Sequence, residues 1–264
     1  MKIILYRLID YAKFFLRGTF VDHYRVLFFA TKNKDVEITF LKFLCIKDKS
    51  SIDVGAAVGF YTHFILKHSK FCFCFEVNSQ RAKRLESIFS NKRVKVEEVA
   101  LSNKKEISFL QTPIENGSLS LGRASIESEN HFHGVETKKL KVNTNTLDNF
   151  NLKNIGFIKI DVEGHEFSVL EGSKSLLIAQ SPNLLIELEE RHKKNAIQSV
   201  TLFLINIGYH GIFFYKDNIL SINDFDSNIH QNIKYISDKS NYVNNFIYTK
   251  DLDVINKIKN YIAN

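Results

Sequence analysis

Tryptophan is absent from the 264-residue chain, which also has only one methionine, two prolines and three cysteines. With so few prolines, helices and strands are seldom interrupted, and the 44% hydrophobic fraction supplies enough apolar side chains for one sizeable core. We therefore expect a folded globule rather than a disordered chain. We expect an N-terminal helical extension at 1–45, followed by a single domain at 46–264.

The three cysteines are too few and too scattered for a disulfide framework. Cys72 and Cys74 alternate within an apolar segment, so they should share one face of a strand as buried thiols. No further Cys or His follows at ligand spacing, which argues against a metal at this pair. Buried thiols predict a reducing, cytoplasmic environment.

The chain also lacks a run of about 18 uninterrupted apolar residues, which a transmembrane helix would need. Charged residues such as Arg7, Asp10 and Lys13 interrupt the apolar start, so no signal peptide is predicted. Apolar residues recur at helical spacing within 3–17, which predicts an amphipathic helix. We expect it to pack on the domain or on a second subunit. The alternative is peripheral contact with the inner face of an anionic membrane.

Basic residues outnumber acidic ones by 36 to 29, for a formal charge of +7, but no run of five or more basic residues is present. This balance favours an anionic substrate or surface, with an ordinary solvated surface as the alternative. Because no basic arm is present, a nucleic-acid partner is not expected. The sequence carries no signal for an oligomeric state.

From residue 50 onward, strand and helix patterns alternate. Strands are predicted at 51–54, 71–76, 94–99, 155–161, 184–188, 211–215 and 245–249, and helices at 60–68, 79–90, 165–179, 195–207 and 252–262. Such alternation predicts an α/β fold, a mostly parallel sheet with helices on both faces. The polar stretch 111–136 predicts a long loop or hairpin over an active site.

A glycine-containing loop, Asp53-Val54-Gly55-Ala56-Ala57-Val58-Gly59, follows the first predicted strand, where α/β folds bind ligands. Small residues there let the backbone approach a ligand, and the Asp53 carboxylate can order the loop or a bound water. A dinucleotide-binding loop would need a glycine at position 57, which is Ala. The observed spacing instead suits S-adenosylmethionine, which has no phosphate. We expect Asp53, Gly55, Ala57 and Gly59 to bind this cofactor.

Glu76 ends the second predicted strand, about 20 residues after the loop, where an acid can accept hydrogen bonds from both ribose hydroxyls. Burying an acidic side chain at the end of so apolar a strand costs free energy, unless a polar ligand forms hydrogen bonds with it. The alternative is a surface acid that begins a helix. After the third strand, Val99 and Ala100 are expected to contact the adenine through apolar and backbone groups.

The segment Lys159-Ile160-Asp161-Val162-Glu163-Gly164-His165 places several ionisable groups where the fourth strand meets its helix. On an extended backbone Lys159, Asp161 and Glu163 would share one face, so their charges would converge. Asp161, Glu163 and His165 are candidate bases for taking a proton from an acceptor, although His165 could instead cap the helix. Glu187, at the next strand end, is a candidate substrate contact. Asp161 and Glu187 together also offer oxygen ligands to a divalent cation. We do not expect such a cation to be bound.

Together these segments resemble FkbM-type methyltransferases, over about residues 50–190. The resemblance rests on IDVGAAVGFYT, FEVN, VALS, LDNF, KIDVEGHEFSVLEG and LLIELEE, with a departure at Ala57, where the family usually has Asn. It implies the Rossmann-like class I methyltransferase fold, with a seven-stranded sheet, and it implies Gly55, Gly59 and Glu76 at the cofactor. A serine-containing stretch common in the family matches 116–120, so Ser118 is expected near the substrate in a loop that closes over the site.

The resemblance implies methyl transfer to oxygen, with a small-molecule or glycan acceptor. The leading hypothesis is methylation of a sugar hydroxyl on a surface glycan or its precursor. An RNA or protein methyltransferase is the alternative enzyme, although the NPPY-like tetrapeptide of nucleobase methyltransferases is DVEG here. A non-catalytic binding protein on the same fold is a third hypothesis, and the loop spacing disfavours a dehydrogenase.

Overall fold

The computed structural model describes residues 35–263, except 91, 116, 128–131, 133 and 239. The amphipathic helix predicted at 3–17 lies outside the described residues. Within the described part of the predicted extension, helix α1 (Glu37–Leu44) buries Phe40, Leu41 and Leu44. These side chains belong to the core of the domain. No helix in the described part of the chain is long and apolar enough to cross a membrane.

The remaining elements follow the predicted alternation closely. The strands are β1 (Ser50–Val54), β2 (Phe71–Phe75), β3 (Val94–Glu97), β4 (Ala100–Leu101), β5 (Ile107–Glu115), β6 (Ser118–Leu119), β7 (Thr137–Asn145), β8 (Ile155–Ile160), β9 (Asn183–Glu187), β10 (His210–Tyr215), β11 (Asn218–Ser221) and β12 (Asn245–Thr249). The further helices are α2 (Phe60–Ile65), α3 (Ser79–Ile88), α4 (Glu166–Glu171), α5 (Lys174–Gln180), α6 (Ala196–Asn206), α7 (Ser227–His230) and α8 (Leu252–Ala263).

The main sheet has the strand order β11-β10-β12-β9-β8-β1-β2-β3. The five strands from β9 to β3 run parallel, and β12 is antiparallel to both of its neighbours. This is the mostly parallel sheet that was predicted, with eight strands instead of seven. The extra strand, β11, follows β10 through Lys216 and Asp217, which both have positive φ, as a tight hairpin turn requires.

Helices cover both faces of this sheet, as predicted. Side chains of α4, α5 and α6 pack with Ile158 and Ile160 on one face. Side chains of α1, α2, α3 and α8 pack with Phe157, Cys72 and Cys74 on the other. Both cysteines are 0% exposed, which confirms the prediction of buried thiols on one strand face. Every residue of β8 is therefore buried between two helical layers.

The single helix predicted at 165–179 is wrong, because the structure divides it into α4 and α5. The break falls at Gly172 and Ser173, where the chain passes close to the end of β4. A Cβ atom at residue 172 would lie 2.0 Å from the carbonyl oxygen of Ser102. This close backbone approach requires glycine, and glycine in turn weakens the helix.

The polar stretch between the third and fourth predicted strands forms a hairpin rather than a loop. Strands β5 and β7 pair antiparallel in a second sheet with the order β4-β7-β5-β6. The segment after β6 folds back against β5, since Gln111 and Ser125 exchange backbone hydrogen bonds of 2.8 and 3.0 Å. The segment 121–126 is thereby fixed beside the ends of the central strands.

Candidate functional site

The carboxyl ends of β1, β2 and β8 open onto one cavity, which we call the strand-end crevice. Its floor includes Gly55, Ala57 and Glu76, and its far wall is the segment 121–126. Val99, Ala100 and Leu110 give it an apolar side, whereas Asp161, Glu163 and His165 line its opposite end. Most residues predicted to meet the cofactor or to perform catalysis are thus brought together here.

Glu76 is held at the crevice by the backbone of the glycine loop. One carboxylate oxygen accepts a hydrogen bond of 2.9 Å from the N–H of Ala57, and the other accepts one of 2.7 Å from the N–H of Asn78. The residue is 5% exposed, and burial raises the pKa of its carboxyl group above the usual range. A carboxylate has about four acceptor positions, so two remain for hydroxyl groups of a ligand.

The loop after β1 passes so close to β8 that position 55 requires glycine. Gly55 has φ +78°, and a Cβ there would lie 1.9 Å from the carbonyl oxygen of Asp161. Ala57 also has positive φ, +49°. Asparagine tolerates this left-handed conformation better than alanine does, which gives a physical reason for the asparagine usual in the family at this position.

Three consecutive backbone N–H groups of the same loop already have partners inside the protein. Gly55 and Ala56 donate to the carbonyl oxygen of Phe75 at 2.9 and 3.2 Å, and Ala57 donates to Glu76. A phosphate-binding loop needs such groups free to point at the ligand. The carboxylates of Glu76 and Asp161 at the crevice would also repel a pyrophosphate. The geometry therefore suits a nucleoside cofactor without phosphate, as the loop spacing indicated.

Two residues predicted to bind the cofactor lie behind the loop instead of lining the crevice. Asp53 is 2% exposed and accepts a hydrogen bond of 2.5 Å from the hydroxyl of Thr62. Burial raises the pKa of its carboxyl group to about 6. At Gly59 a Cβ would lie 2.6 Å from the ring of Phe89, so this glycine permits close packing of α2 against α3. Both residues therefore support the conformation of the loop through contacts inside the protein.

Asp161 and Glu163 occupy a turn, and the expected shared face with Lys159 is not formed at Glu163. Strand β8 ends at Ile160, and Glu163 has φ +57°, outside the extended region. Burial, Asp161 and Glu166 raise the pKa of the Glu163 carboxyl group to about 9. Burial and the neighbouring Asp161 thus favour the protonated form of Glu163, which makes this residue a weaker candidate base.

His165 takes part in a hydrogen-bonded chain along the crevice wall. Its Nε2 atom lies 2.9 Å from the hydroxyl of Ser102, and its Nδ1 atom lies 3.3 Å from a carboxylate oxygen of Glu127. Lys193 donates to the same Glu127 oxygen at 3.0 Å. The His165 side chain makes no capping hydrogen bond to α4, although the residue occupies the N-cap position. Its contacts connect β4 and the segment after 121–126 to the start of that helix.

A second cavity lies on the other side of the glycine loop, and we call it the side chamber. It shares Gly55, Ala57 and Asp161 with the strand-end crevice and is also lined by Tyr61 and Lys159. Asp53, Glu187, Asn244 and Asn245 are further lining residues. Asp161 is the ionisable residue common to both cavities, and its side chain is 33% exposed.

Lys159 is buried at the centre of the chamber, with its side chain 1% exposed. Its Nζ atom lies 3.9 Å from a carboxylate oxygen of Asp161 and 3.8 Å from one of Glu187. Burial and Asp161 raise the pKa of Glu187 well above its usual range. An ammonium group thus lies between the two carboxyl groups considered as cation ligands. Within the described residues, no group of three or more His, Cys, Asp or Glu is arranged to hold a metal ion.

Ser118, expected near the substrate, is exposed on β6 and does not line either cavity. Sequence reasoning missed Tyr61, Asn244 and Asn245. Tyr61 is the second residue of α2, two positions after the last glycine of the loop. Asn244 precedes β12 and Asn245 begins it, and because this strand is antiparallel, its beginning reaches the sheet edge where the parallel strands end. A polar pair at the start of an apolar strand was the available signal.

The chain is similar to one known protein family and to several solved structures. The FkbM methyltransferase domain matches residues 53–210. The solved FkbM methyltransferase of Methylobacillus flagellatus superposes with a TM-score of 0.50 at 13% identity, over 76% of this chain and 43% of that chain. A Streptococcus mutans protein solved with S-adenosylhomocysteine gives a TM-score of 0.45 at 10% identity, over 81% and 96% of the two chains. These likenesses concern the fold alone.

A short segment is also similar to a curated enzyme. The ribosomal RNA small subunit methyltransferase A of Mesomycoplasma hyopneumoniae is 29% identical over 65 residues, which is 25% of each protein. The chain thus spans a quarter of the length of this curated relative.

Proposed function

The chain belongs to the FkbM methyltransferase family, and from this premise we propose that it transfers a methyl group from S-adenosylmethionine to a sugar hydroxyl of a surface glycan or its precursor. The observation that carries the proposal is that the two cavities are adjacent and share Gly55, Ala57 and Asp161 as lining residues. The strand-end crevice suits the cofactor, the side chamber suits an acceptor, and Asp161 borders both.

The crevice residues fit the cofactor class. Glu76 retains acceptor positions for ribose hydroxyls, and Val99, Ala100 and Leu110 offer an apolar surface to a base. When bound, the cofactor supplies an activated methyl group attached to a positively charged sulfur. The negative charge of Asp161 favours such a cation near the boundary between the cavities.

The protein's own task is to orient a hydroxyl oxygen and to take its proton. We assign the base to Asp161, because it lines both cavities, whereas Glu163 lines the strand-end crevice and not the side chamber, and burial favours its protonated form. His165 is engaged with Ser102 and Glu127, so we assign it to positioning the wall of the crevice.

A sugar acceptor agrees with the chamber lining. Asn and carboxyl side chains offer both donors and acceptors to hydroxyl groups, and Phe60 and Tyr61 offer rings to the apolar face of a sugar. The net charge of +7 would favour a precursor that also carries phosphate or carboxylate outside the chamber.

Calorimetry with S-adenosylhomocysteine tests the cofactor half of the proposal. The wild-type protein should bind it, and Glu76→Gln should weaken binding by about 1–3 kcal/mol because a buried charged hydrogen bond is lost. The exposed Glu86→Gln on α3 is the matched control and should bind normally. Absence of wild-type binding at millimolar ligand would refute the function.

Mass spectrometry of glycans tests the acceptor half. Cells with the active protein should contain glycans heavier by one methylene unit than cells that express Asp161→Asn. An RNA methyltransferase is the second candidate, favoured by the 65-residue similarity to the ribosomal RNA enzyme. That candidate predicts RNA binding that weakens steeply with salt, and it predicts unchanged glycans.

A further inference from the structure

The side chamber contains the buried ammonium group of Lys159, whose hydrogen bonds to the rest of the described protein are all long. The nearest acceptors of the Lys159 Nζ atom are the carbonyl oxygen of Ile160 at 3.4 Å and the amide oxygen of Asn245 at 3.5 Å. Charged donors normally bond at about 2.7–2.9 Å. An ammonium group with 1% side-chain exposure and three donors therefore has no short hydrogen bond among the described residues.

The neighbouring Tyr61 hydroxyl is the second observation. Its oxygen atom is buried and has no hydrogen-bond partner in the described part of the chain. The Lys159 Nζ atom lies 4.9 Å from the centre of the Tyr61 ring. Buried polar groups are nearly always paired, so an unsatisfied one beside a cavity indicates a partner that enters the cavity.

The charges around these two groups restrict that partner. Asp161 and Glu187 flank the ammonium group, and Asp35 and Asp53 also line the chamber. A carboxylate or phosphate that enters the chamber would therefore meet carboxyl oxygens. A ligand ammonium group would meet Lys159. A hydroxyl group satisfies both sides, because it accepts a hydrogen bond from an ammonium group and donates one to a carboxylate.

We propose that the side chamber binds a neutral hydroxyl-bearing group, and that Lys159 and Tyr61 donate hydrogen bonds to its oxygen atoms. Lys159 is then a catalytic residue that stabilises the negative charge which develops on the attacking oxygen. This inference rests on the proposed function and names its substrate class at the reacting end. The part of the acceptor that enters the chamber is uncharged, whatever charge lies outside.

The step balances within the chamber. The hydroxyl oxygen forms a bond to the methyl carbon while its proton moves to the Asp161 carboxylate. The carbon–sulfur bond of the cofactor breaks, and its electron pair stays on sulfur. Lys159 keeps its proton throughout and stabilises the partial negative charge that the oxygen carries while its proton leaves, and the product is a neutral ether.

Saturation-transfer NMR with three sugars tests the proposal. The probes are methyl α-D-glucopyranoside, D-glucuronate and D-glucosamine, each added to the protein saturated with S-adenosylhomocysteine. The neutral glucoside should give the strongest signal. Lys159→Met, which keeps the side-chain length and removes the ammonium group, should weaken its binding at least about tenfold, and Tyr61→Phe should weaken it severalfold.

The cofactor supplies the internal control, because Lys159 and Tyr61 do not line the strand-end crevice. Calorimetric affinity for S-adenosylhomocysteine should be unchanged in both variants, and Tyr61→Phe should fold normally since it removes a hydroxyl with no described partner. Stronger binding of either charged sugar, failure of all three to bind, or glucoside binding unaffected in Tyr61→Phe and Lys159→Met would overturn the inference. In those cases normal cofactor binding would leave the methyltransferase function standing.

Discussion

The Nε2 atom of His192 lies 3.3 Å from a carboxylate oxygen of Glu163, across the gap between the loops that follow β8 and β9. The two loops pack closely beside this contact, because a Cβ at Gly164 would lie 3.2 Å from the Cβ of His192. Burial lowers the pKa of His192 to about 4, whereas burial, Asp161 and Glu166 raise that of Glu163 to about 9. These shifts favour a neutral pair, a carboxylic acid facing an uncharged imidazole.

This protonation state makes stability depend on pH. Between the unfolded pKa of Glu163, near 4.5, and its folded value of about 9, the folded protein binds more protons than the unfolded chain, so stability falls as pH rises. Glu163→Gln removes this contribution. Its melting temperature should fall less between pH 5 and pH 9 than that of the wild type, as measured by thermal unfolding. Equal slopes for the two proteins, with Glu86→Gln as the exposed control, would contradict the assignment.

Glu127 should give stability the opposite pH dependence, with stability falling as the pH becomes acid. Although burial opposes ionisation, hydrogen bonds from His165 and Lys193 lower the pKa of Glu127 to about 2. Its stabilisation is therefore present above pH 4.5 and is lost as pH falls toward 2. Glu127→Gln should reduce the free energy of unfolding by about 1–3 kcal/mol at pH 7 in denaturant titrations. The difference from the wild type should shrink near pH 2, and a constant difference across this range would show that charge is not the cause.

Gly55→Ala should disrupt the junction between the two cavities. The new methyl group would collide with the Asp161 carbonyl at a positive φ, so we expect a loss of about 2 kcal/mol or more of stability. Binding of S-adenosylhomocysteine should be lost with it, as calorimetry would report. Gly122→Ala is the matched control, since this glycine also lines the crevice but has nothing within 4 Å of the added Cβ. Equal behaviour of the two variants would disprove the steric explanation.

Ala57→Asn should stabilise the protein. Residue 57 has φ +49°, a conformation in which asparagine is favoured over alanine. A gain of about 0.5–1 kcal/mol is expected in urea unfolding, on the scale of substitutions that match backbone conformation. Ala56→Gly, at the adjacent position without positive φ, should destabilise instead. A destabilised Ala57→Asn would indicate that the side chain, rather than the backbone, is restricted at this position.

Much of the central sheet could be predicted because its strands are apolar and end in polar or glycine residues. The run from Lys159 to His165 shows both the strength and the limit of this reasoning. The position of the turn at the sheet edge follows from the pattern, but the positive φ of Glu163 depends on the loop that carries His192. Alternation along one strand cannot predict a contact with another loop.

The side chamber could not be predicted from the sequence for the same reason. Lys159 was expected to share one strand face with Asp161 and Glu163, yet it is buried where α2 places Tyr61 over it and β12 brings Asn245 beside it. These residues are separated from Lys159 by about a hundred and by 86 positions in the chain, respectively. Local sequence patterns carry no information about such long-range contacts, unless the antiparallel position of β12 in the sheet is recognised first.

The wall between the two cavities is formed by Gly55, Ala57 and Asp161, and beyond this wall the two linings are distinct. Under the proposed function, donor and acceptor are therefore recognised by separate sets of residues. We expect replacements at Tyr61, Asn244 or Asn245 to redirect the enzyme to other acceptors while leaving its donor affinity intact, so directed evolution of new specificities could be confined to the ends of α2 and β12.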